Sequence, residues 1–177
     1  RYVHLGTGNY NDSTAKLYTD MGMFTCRQPY GEDATAVFNM LSGYSEPLGW
    51  NKLSLAPLWL RDKFLSLIER EQMNATLGKP AKIVAKMNSL CDAGIINIHL
   101  IVRGICCLRA EVPGLSENIH VRSIVGTFLE HSRIFYFENN GNPEIYMGSA
   151  DWMPSNLDKR VEILFPVESD ELKDEIC

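Results

Sequence analysis

No apolar run in this chain approaches the roughly 20 residues that a membrane-spanning helix needs, and no signal peptide is visible. Cysteine is scarce and poorly spaced for chemistry. The five residues Cys26, Cys91, Cys106, Cys107 and Cys177 form no C-x-x-C pair, and adjacent Cys106 and Cys107 suit neither a simple disulfide nor a zinc site. They read as reduced thiols of a cytoplasmic protein, mostly filling core space. A basic excess is lacking as well. Lys and Arg number 17 against 22 Asp and Glu, for a net charge of −5, which argues against a general nucleic-acid binder. There is no initiator Met, and the opening Arg1-Tyr2-Val3-His4-Leu5 already reads as a strand. The expectation is a piece of a longer protein.

What is present suffices for one good core, because 45% of the 177 residues are hydrophobic. Charge is uneven. Between residues 79 and 133 stand Lys79, Lys82, Lys86, Arg103, Arg109, Arg122 and Arg133 against Asp92, Glu111, Glu117 and Glu130, while the stretch from Glu168 to Glu175 is acidic. A local basic surface on an acidic protein suits a small or confined polyanion better than a duplex.

Strands are expected at Tyr2–Leu5 and Met23–Thr25, then a helix over Glu32–Leu41 with Ala34, Val37, Phe38 and Leu41 at helical spacing. The Gly-, Pro- and Ser-rich stretch from Ser42 to Gly49 marks a boundary near residue 50. Beyond it come a strand at Lys52–Ala56 and a helix over Leu58–Leu77, with Leu60, Phe64, Leu67 and Ile68 on one face and Gly78 as its stop. Strands are then expected at Ala81–Lys86, Ile95–Val102 (an apolar, buried, parallel type), Ile119–Val125, Arg133–Phe137, Glu144–Met147 and Val161–Phe165. Strands interspersed with helices imply an α/β sandwich.

Two distant segments resemble each other. Gly6-Thr7-Gly8-Asn9-Tyr10 leads to Asp20, and Gly148-Ser149-Ala150-Asp151-Trp152 leads to Glu162. Each acid lies fourteen positions after its glycine, and the alignment sets Tyr18 against Arg160. A glycine at a strand end allows close approach of backbone to a ligand. The Ser/Thr hydroxyl and the Asn/Asp side chain would then offer hydrogen bonds at the rim where α/β sheets bind ligands. Upstream of the second copy, His131-Ser132-Arg133 is followed after four residues by Glu138. This H-x-R-x4-E is close to the H-x-K-x4-D pattern of phospholipase-D-like enzymes. In that superfamily one histidine from each half flanks the phosphorus, one attacking and one moving a proton, and the neighbouring base holds phosphate oxygens. The first copy has no H-x-K before it, so its histidine is expected upstream of Arg1.

Six runs in order resemble type 1 polyphosphate kinase: His4-Leu5-Gly6-Thr7-Gly8-Asn9-Tyr10-Asn11, Leu17-Tyr18-Thr19-Asp20, Lys86-Met87-Asn88-Ser89-Leu90, Val102-Arg103-Gly104-Ile105-Cys106-Cys107-Leu108, Leu129-Glu130-His131-Ser132-Arg133 and Gly148-Ser149-Ala150-Asp151-Trp152-Met153. The resemblance implies a phospholipase-D-like α/β/α sandwich with a mixed, largely parallel sheet. Residues 1–50 would be the end of the first phospholipase-D-like domain, and 51–177 most of the second, incomplete at its C-terminus. It implies reversible transfer of the terminal phosphate of ATP to inorganic polyphosphate through a phosphohistidine, with Mg2+. No metal ligands are assigned. Carried across by motif, Tyr18 stacks on or edges the nucleotide, Arg103 grips its phosphates, His131 is the second histidine and proton donor, and Asp20 and Arg160 line the same tunnel. For Arg160 a pair with Asp158 or Glu162 stays open; Arg109, Arg122, Lys79 and Lys82 are read as solvated. Partners implied are ATP or ADP, polyphosphate, the rest of the kinase chain and, in the full-length enzyme, a second copy. The location implied is cytoplasmic, or peripheral to the inner membrane. The family usually has about a dozen more residues between Asp92 and Ala93 than this chain. Two other readings stay open: a phospholipase-D-like phosphodiesterase or nuclease, which needs two complete H-x-K motifs, and a non-catalytic nucleotide- or polyphosphate-binding module. Alone, the chain is expected to be inactive, because the phosphate-accepting histidine lies upstream.

Overall fold

The structure, a computed structural model, describes residues 1–43, 45–88, 98–103, 111–113 and 116–176. Strand β1 (Val3–Gly6) pairs antiparallel with β3 (Gly22–Thr25), and between them lie α1 (Asp12–Ala15) and the two-residue β2 (Tyr18–Thr19). Helix α2 (Gln28–Leu41) follows. After residue 50 come β4 (Ser54–Ala56), α3 (Leu60–Thr76), β5 (Ile83–Met87), β6 (Ile98–Val102), β7 (Ile119–Ser123), β8 (Leu129–Glu130) and β9 (Arg133–Phe137). Then follow a 3-10 turn (Asn139–Gly141), β10 (Glu144–Gly148), α4 (Pro154–Leu157), β11 (Glu162–Val167) and α5 (Asp170–Ile176).

Seven strands form one sheet in the order β4-β11-β10-β9-β5-β6-β7. The pairs β5–β6 and β6–β7 are parallel, whereas β4–β11, β11–β10, β10–β9 and β9–β5 are antiparallel. The sheet is therefore mixed, with only β9 and β11 running against the other five strands, as the phospholipase-D-like expectation requires. The antiparallel half needs tight turns. In the β9–β10 turn Asn139, Asn140 and Gly141 take φ of 47°, 56° and 83°, a left-handed run that Asn and Gly tolerate best.

Both faces are covered. On one, Leu60, Phe64 and Leu67 of α3 pack on Ile83, Ala85, Leu100, Phe135 and Trp152; the spacing of these three and the positive φ of Gly78 at the helix end match the sequence pattern. On the other, Leu5 and Tyr30, with the half-buried Val37 and Met40, cover Leu55, Ile145, Met147 and Phe165. Helix α2 departs from expectation in start and rotation. It begins at Gln28, since Pro29 fits a first turn. Its Phe38 and Leu41 are exposed, at 70% and 56%, rather than buried. The cause is Asp33, which faces inward at 2% exposure. Its carboxylate accepts from the backbone N–H groups of Asn51 (3.0 Å), Lys52 (2.7 Å) and Leu53 (2.9 Å), and this fixes the helix rotation.

Glu168 fastens the same helix, accepting from Arg27, Lys52 and the Tyr30 hydroxyl. Burial and the Glu168 carboxylate push the Tyr30 phenol well above its ordinary range. Cys26, expected as core filler, is exposed. The other four cysteines, Arg109, and the junction between Asp92 and Ala93 lie outside the described residues. Among the described residues, no helix is long and apolar enough to cross a membrane.

Candidate functional site

The two similar segments fold alike, down to individual hydrogen bonds. Gly6 pairs with Gly22 across β1–β3 and Gly148 with Leu164 across β10–β11. In the first copy the Thr7 hydroxyl donates to Asp20 Oδ1 (2.9 Å) and accepts from Met21 N (3.0 Å). In the second, the Ser149 hydroxyl donates to Glu162 Oε2 and accepts from Ile163 N (3.1 Å). The short helices α1 and α4 each begin six residues after their glycine, and α2 and α5 each begin 22 residues after it.

These bonds correct the expected role of the motif. The hydroxyls do not wait for a ligand; each ties the strand end to the acid fourteen residues past the glycine. Gly148 serves packing, since a Cβ there would lie 2.7 Å from the Ile163 carbonyl oxygen. Gly8 makes room for Asp20, whose Oδ2 would lie 2.1 Å from a Cβ on residue 8.

The first copy reaches across to the second half. Strand β2 pairs parallel with β8, setting Tyr18 beside Leu129 and Thr19 beside Glu130, and His131 N donates to the Thr19 carbonyl (2.9 Å). Asp20 thereby meets His131 Nδ1 with both carboxylate oxygens at 3.0 Å. Tyr18 stacks on the His131 ring, with centroids 4.7 Å apart and planes at 13°. The Arg103 guanidinium lies over Tyr18 at 5.5 Å. Two carboxylate oxygens at hydrogen-bond distance assign the ring proton to Nδ1 and leave the Nε2 lone pair as the reactive position. The His131 side chain is 14% exposed. Burial pushes its pKa below the ordinary 6.5, the Arg133 charge adds to this, and Asp20 opposes both. The net shift favours the neutral imidazole at neutral pH.

Arg133 holds this arrangement in place. It is 7% exposed, with Nε and Nη2 donating to Asp151 (3.1 and 3.3 Å) and Nη1 to the Thr7 carbonyl (3.1 Å). Nη1 also lies 3.3 Å from His131 Nδ1. Asp151 further accepts from Asn88 N (2.9 Å). Arg133 was expected to hold phosphate oxygens as the superfamily's base does; instead its guanidinium bolts the two copies together. Glu138, placed by spacing as the motif's acid, sits past the far end of β9, roughly 20 Å along the strand from His131, and accepts from Tyr136.

The remaining expected residues divide. Arg103 stands at the end of β6 with its Nη1 buried and without a hydrogen-bond partner among the described residues, an open donor beside Tyr18. Arg160 is exposed and takes neither acid suggested for it, since Asp158 is held by Arg61 and Glu162 by Ser149 and Asn156. Two residues were missed. Lys86 donates to the Ser132 carbonyl and hydroxyl (2.8 Å each) and to the Glu130 carbonyl (3.3 Å), gripping the chain on both sides of His131; burial lowers its pKa. His4 bonds through Nδ1 to the Tyr10 hydroxyl and lines a pocket of about 280 Å3 with Gly8, Asn9, Tyr18 and Asp20. A histidine facing outward from a strand next to the repeat was the available signal for it; Lys86 had none beyond its motif run.

Magnesium finds no ligand set among the described residues, where no group of three or more His, Cys, Asp and Glu side chains could hold an ion. The two carboxylates of the site are engaged, Asp20 on His131 and Asp151 on Arg133.

Residues 1–47 match the family model for polyphosphate kinase C-terminal domain 1, and residues 53–177 that for polyphosphate kinase C-terminal domain 2. A polyphosphate kinase of Thermosynechococcus vestitus is 53% identical over 179 residues, covering 95% of this chain and 24% of its own. One of Synechocystis sp. is 54% identical over 187 residues, covering 99% and 26%. The crystal structure of the polyphosphate kinase from Porphyromonas gingivalis aligns with a TM-score of 0.92 at 37% identity, over 99% of this chain and 28% of that one. The chain thus spans about a quarter of the length of the curated relatives it matches.

Proposed function

This chain belongs to the polyphosphate kinase family, and from that premise we propose that it supplies one half of a site that moves the terminal phosphate of ATP reversibly onto inorganic polyphosphate. Residues 1–50 form the end of one phospholipase-D-like domain and 51–177 most of a second. A histidine outside this chain accepts the phosphoryl group. The observation that carries this reading is the contact of Asp20 and Tyr18, from one repeat, with His131 from the other half.

In this reading Asp20 fixes the His131 tautomer, so that Nε2 faces the reacting phosphate. Nε2 gives a proton to the departing ADP oxygen and takes it back in the reverse direction. The ring takes that proton from solvent as the nucleotide binds. Nucleotide phosphates oppose the Arg133 charge and raise the proton affinity of the ring. The open Nη1 of Arg103 binds a nucleotide phosphate oxygen, where a planar fork outperforms an ammonium, and Tyr18 offers its ring to the base. Preorganised positive charge is most of what phosphoryl transfer asks of a protein. Magnesium, which the family implies, would be carried by substrate phosphates or by residues outside those described.

The test uses γ-labelled ATP. A full-length enzyme carrying this segment should take up an acid-labile, base-stable label and pass it to polyphosphate, while the 177-residue chain alone should remain unlabelled. Stoichiometric label on His131 of the isolated chain would reverse the roles given to the two histidines.

A further inference from the structure

The basic residues that the sequence concentrates between 79 and 133 separate in the structure into two groups. Arg103 and Arg133 belong to the site above. The rest include a second group on the face of β5, β6 and β7 turned away from α3. The register sets Val84 beside His99 and His99 beside His120, then Lys86 beside Ile101 and Ile101 beside Arg122. Strand alternation puts Lys82 on the same face two residues before Val84. No carboxylate occurs within these three strands. Neither hydrophobic core includes a residue from this face of them; Lys82, His120 and Arg122 are exposed there and His99 and Ile101 half-buried, while α5 reaches only the β5 side, through Ile176.

The charges there are poorly matched. Burial lowers the His99 pKa, and Lys82, His120 and Arg122 all lower it further, so all three lie close to it. Among the described residues Lys82 and Arg122 have no carboxylate within 4.0 Å, while His120 has Glu111 at 3.5 Å and Lys86 has Glu130 at 3.8 Å. A groove of about 410 Å3 runs beside the group, with Lys82 and Lys86 on a wall otherwise formed by Val84, Ile101, Ile134, Tyr136, Ile145 and Ile176. Along β6 the distance from His99 to Arg103 at the site rim is roughly 13 Å.

We infer that this face is a secondary track for a linear polyphosphate chain, running from Arg103 past Arg122, His120 and His99 to Lys82. The inference rests on the function proposed above. It extends that function by giving the growing chain a place to lie outside the reacting centre. Single-stranded nucleic acid fits less well, because such surfaces need aromatic platforms for the bases and these three strands carry no Phe, Tyr or Trp.

The experiment uses a full-length enzyme carrying this segment, with Arg122→Gln, Lys82→Gln and the double variant. In the polyphosphate-to-ATP direction, KM for long chains should rise about fivefold to tenfold in the double variant, and the log–log salt slope of long-chain binding should fall by roughly 1.4, about 0.7 per lost contact. KM for tripolyphosphate and for ADP should hold, and so should the melting midpoint. If Lys82→Gln unfolds the enzyme, Arg122→Gln alone should still show half the slope change. An unchanged long-chain KM, or an equal rise for tripolyphosphate, overturns the track. So does single-stranded DNA of matched charge that competes as well as polyphosphate. A wild-type enzyme that ignores polyphosphate altogether sinks the functional reading, and the track with it; the other outcomes leave that reading intact.

Discussion

The two copies of the repeat share a scaffold and put it to different use. Thr7 and Ser149 make matching hydrogen bonds to an acid and to the backbone N–H that follows it. Yet Asp20 turns outward to the histidine of the other half, while Glu162 keeps its oxygens on Ser149 and Asn156 of its own. Residue 8 accounts for the difference in part. Asp20 folds over Gly8 into space that a Cβ would take, and the second copy has Ala150, buried at 1%, at the matching position. Tyr18, gripped by His131 and Arg103, likewise contrasts with Arg160, which stands in solvent. The duplicated element specifies a bracket, and the methyl group at residue 150 is one of the differences that keep the second acid on its own copy.

The strongest way to break the contrast removes the residue that the first copy serves. In a full-length enzyme carrying this segment, His131→Gln should slow single-turnover phosphoryl transfer by about 1,000-fold, with ADP affinity by calorimetry changing far less. Glutamine can hydrogen-bond a phosphate but cannot release a proton; near wild-type turnover would reduce His131 to a hydrogen-bonding contact. Next in size, Gly8→Ala makes the first copy imitate the second. It should displace Asp20 and cost roughly 10- to 100-fold in turnover, the usual penalty for a misplaced catalytic group. A variant of full activity would show that Asp20 reaches His131 by another path.

The shared bracket can be tested by its symmetry. Thr7→Val and Ser149→Ala each remove a hydroxyl that both donates and accepts. Each should lower unfolding free energy by about 1–2 kcal/mol in chemical denaturation, and by similar amounts. A much larger loss in one copy would mean the two brackets are not equivalent. The smallest effect is a titration. Asp20 raises the His131 pKa against burial and Arg133, so Asp20→Asn should move it further below 6.5 in an NMR titration of the ring. Between its native pKa and 6.5, His131 binds more protons unfolded than folded, so its contribution is complete above pH 6.5 and declines as pH falls toward the native value. Asp20→Asn should extend that decline to lower pH. An upward shift of the titration would mean that the carboxylate does not act on the ring.

Much of this was legible in the sequence because it is periodic or repeated. Matching offsets from Gly6 and Gly148 placed the two acids, Asp20 and Glu162, in equivalent positions, and Leu60, Phe64 and Leu67 gave the buried face of α3. What failed had no local signal. The rotation of α2 is set by Asp33 reaching N–H groups eighteen to twenty residues away, so the stripe containing Phe38 and Leu41 misled. Arg133 read as a phosphate ligand because sequence spacing cannot show that Asp151 already occupies its fork. Glu138 matched a motif by count, yet a strand carries such a count to the opposite end of the sheet.

Asp33 and Glu168 make the covalent passage through Ser42–Gly49 almost redundant. The first stretch is held to the rest by buried backbone-to-carboxylate bonds, by Arg27 and Tyr30 on Glu168, and by the apolar seam of Leu5 and Tyr30 against Ile145 and Phe165. A gene cut at that loop would therefore encode two polypeptides that find each other and close the same site. A protease nicking the loop would leave a complex that elutes as one species and separates only in denaturant. For anyone wishing to insert a reporter or to permute the chain, that loop, exposed at residues 45, 46, 48 and 49, is the place to open it.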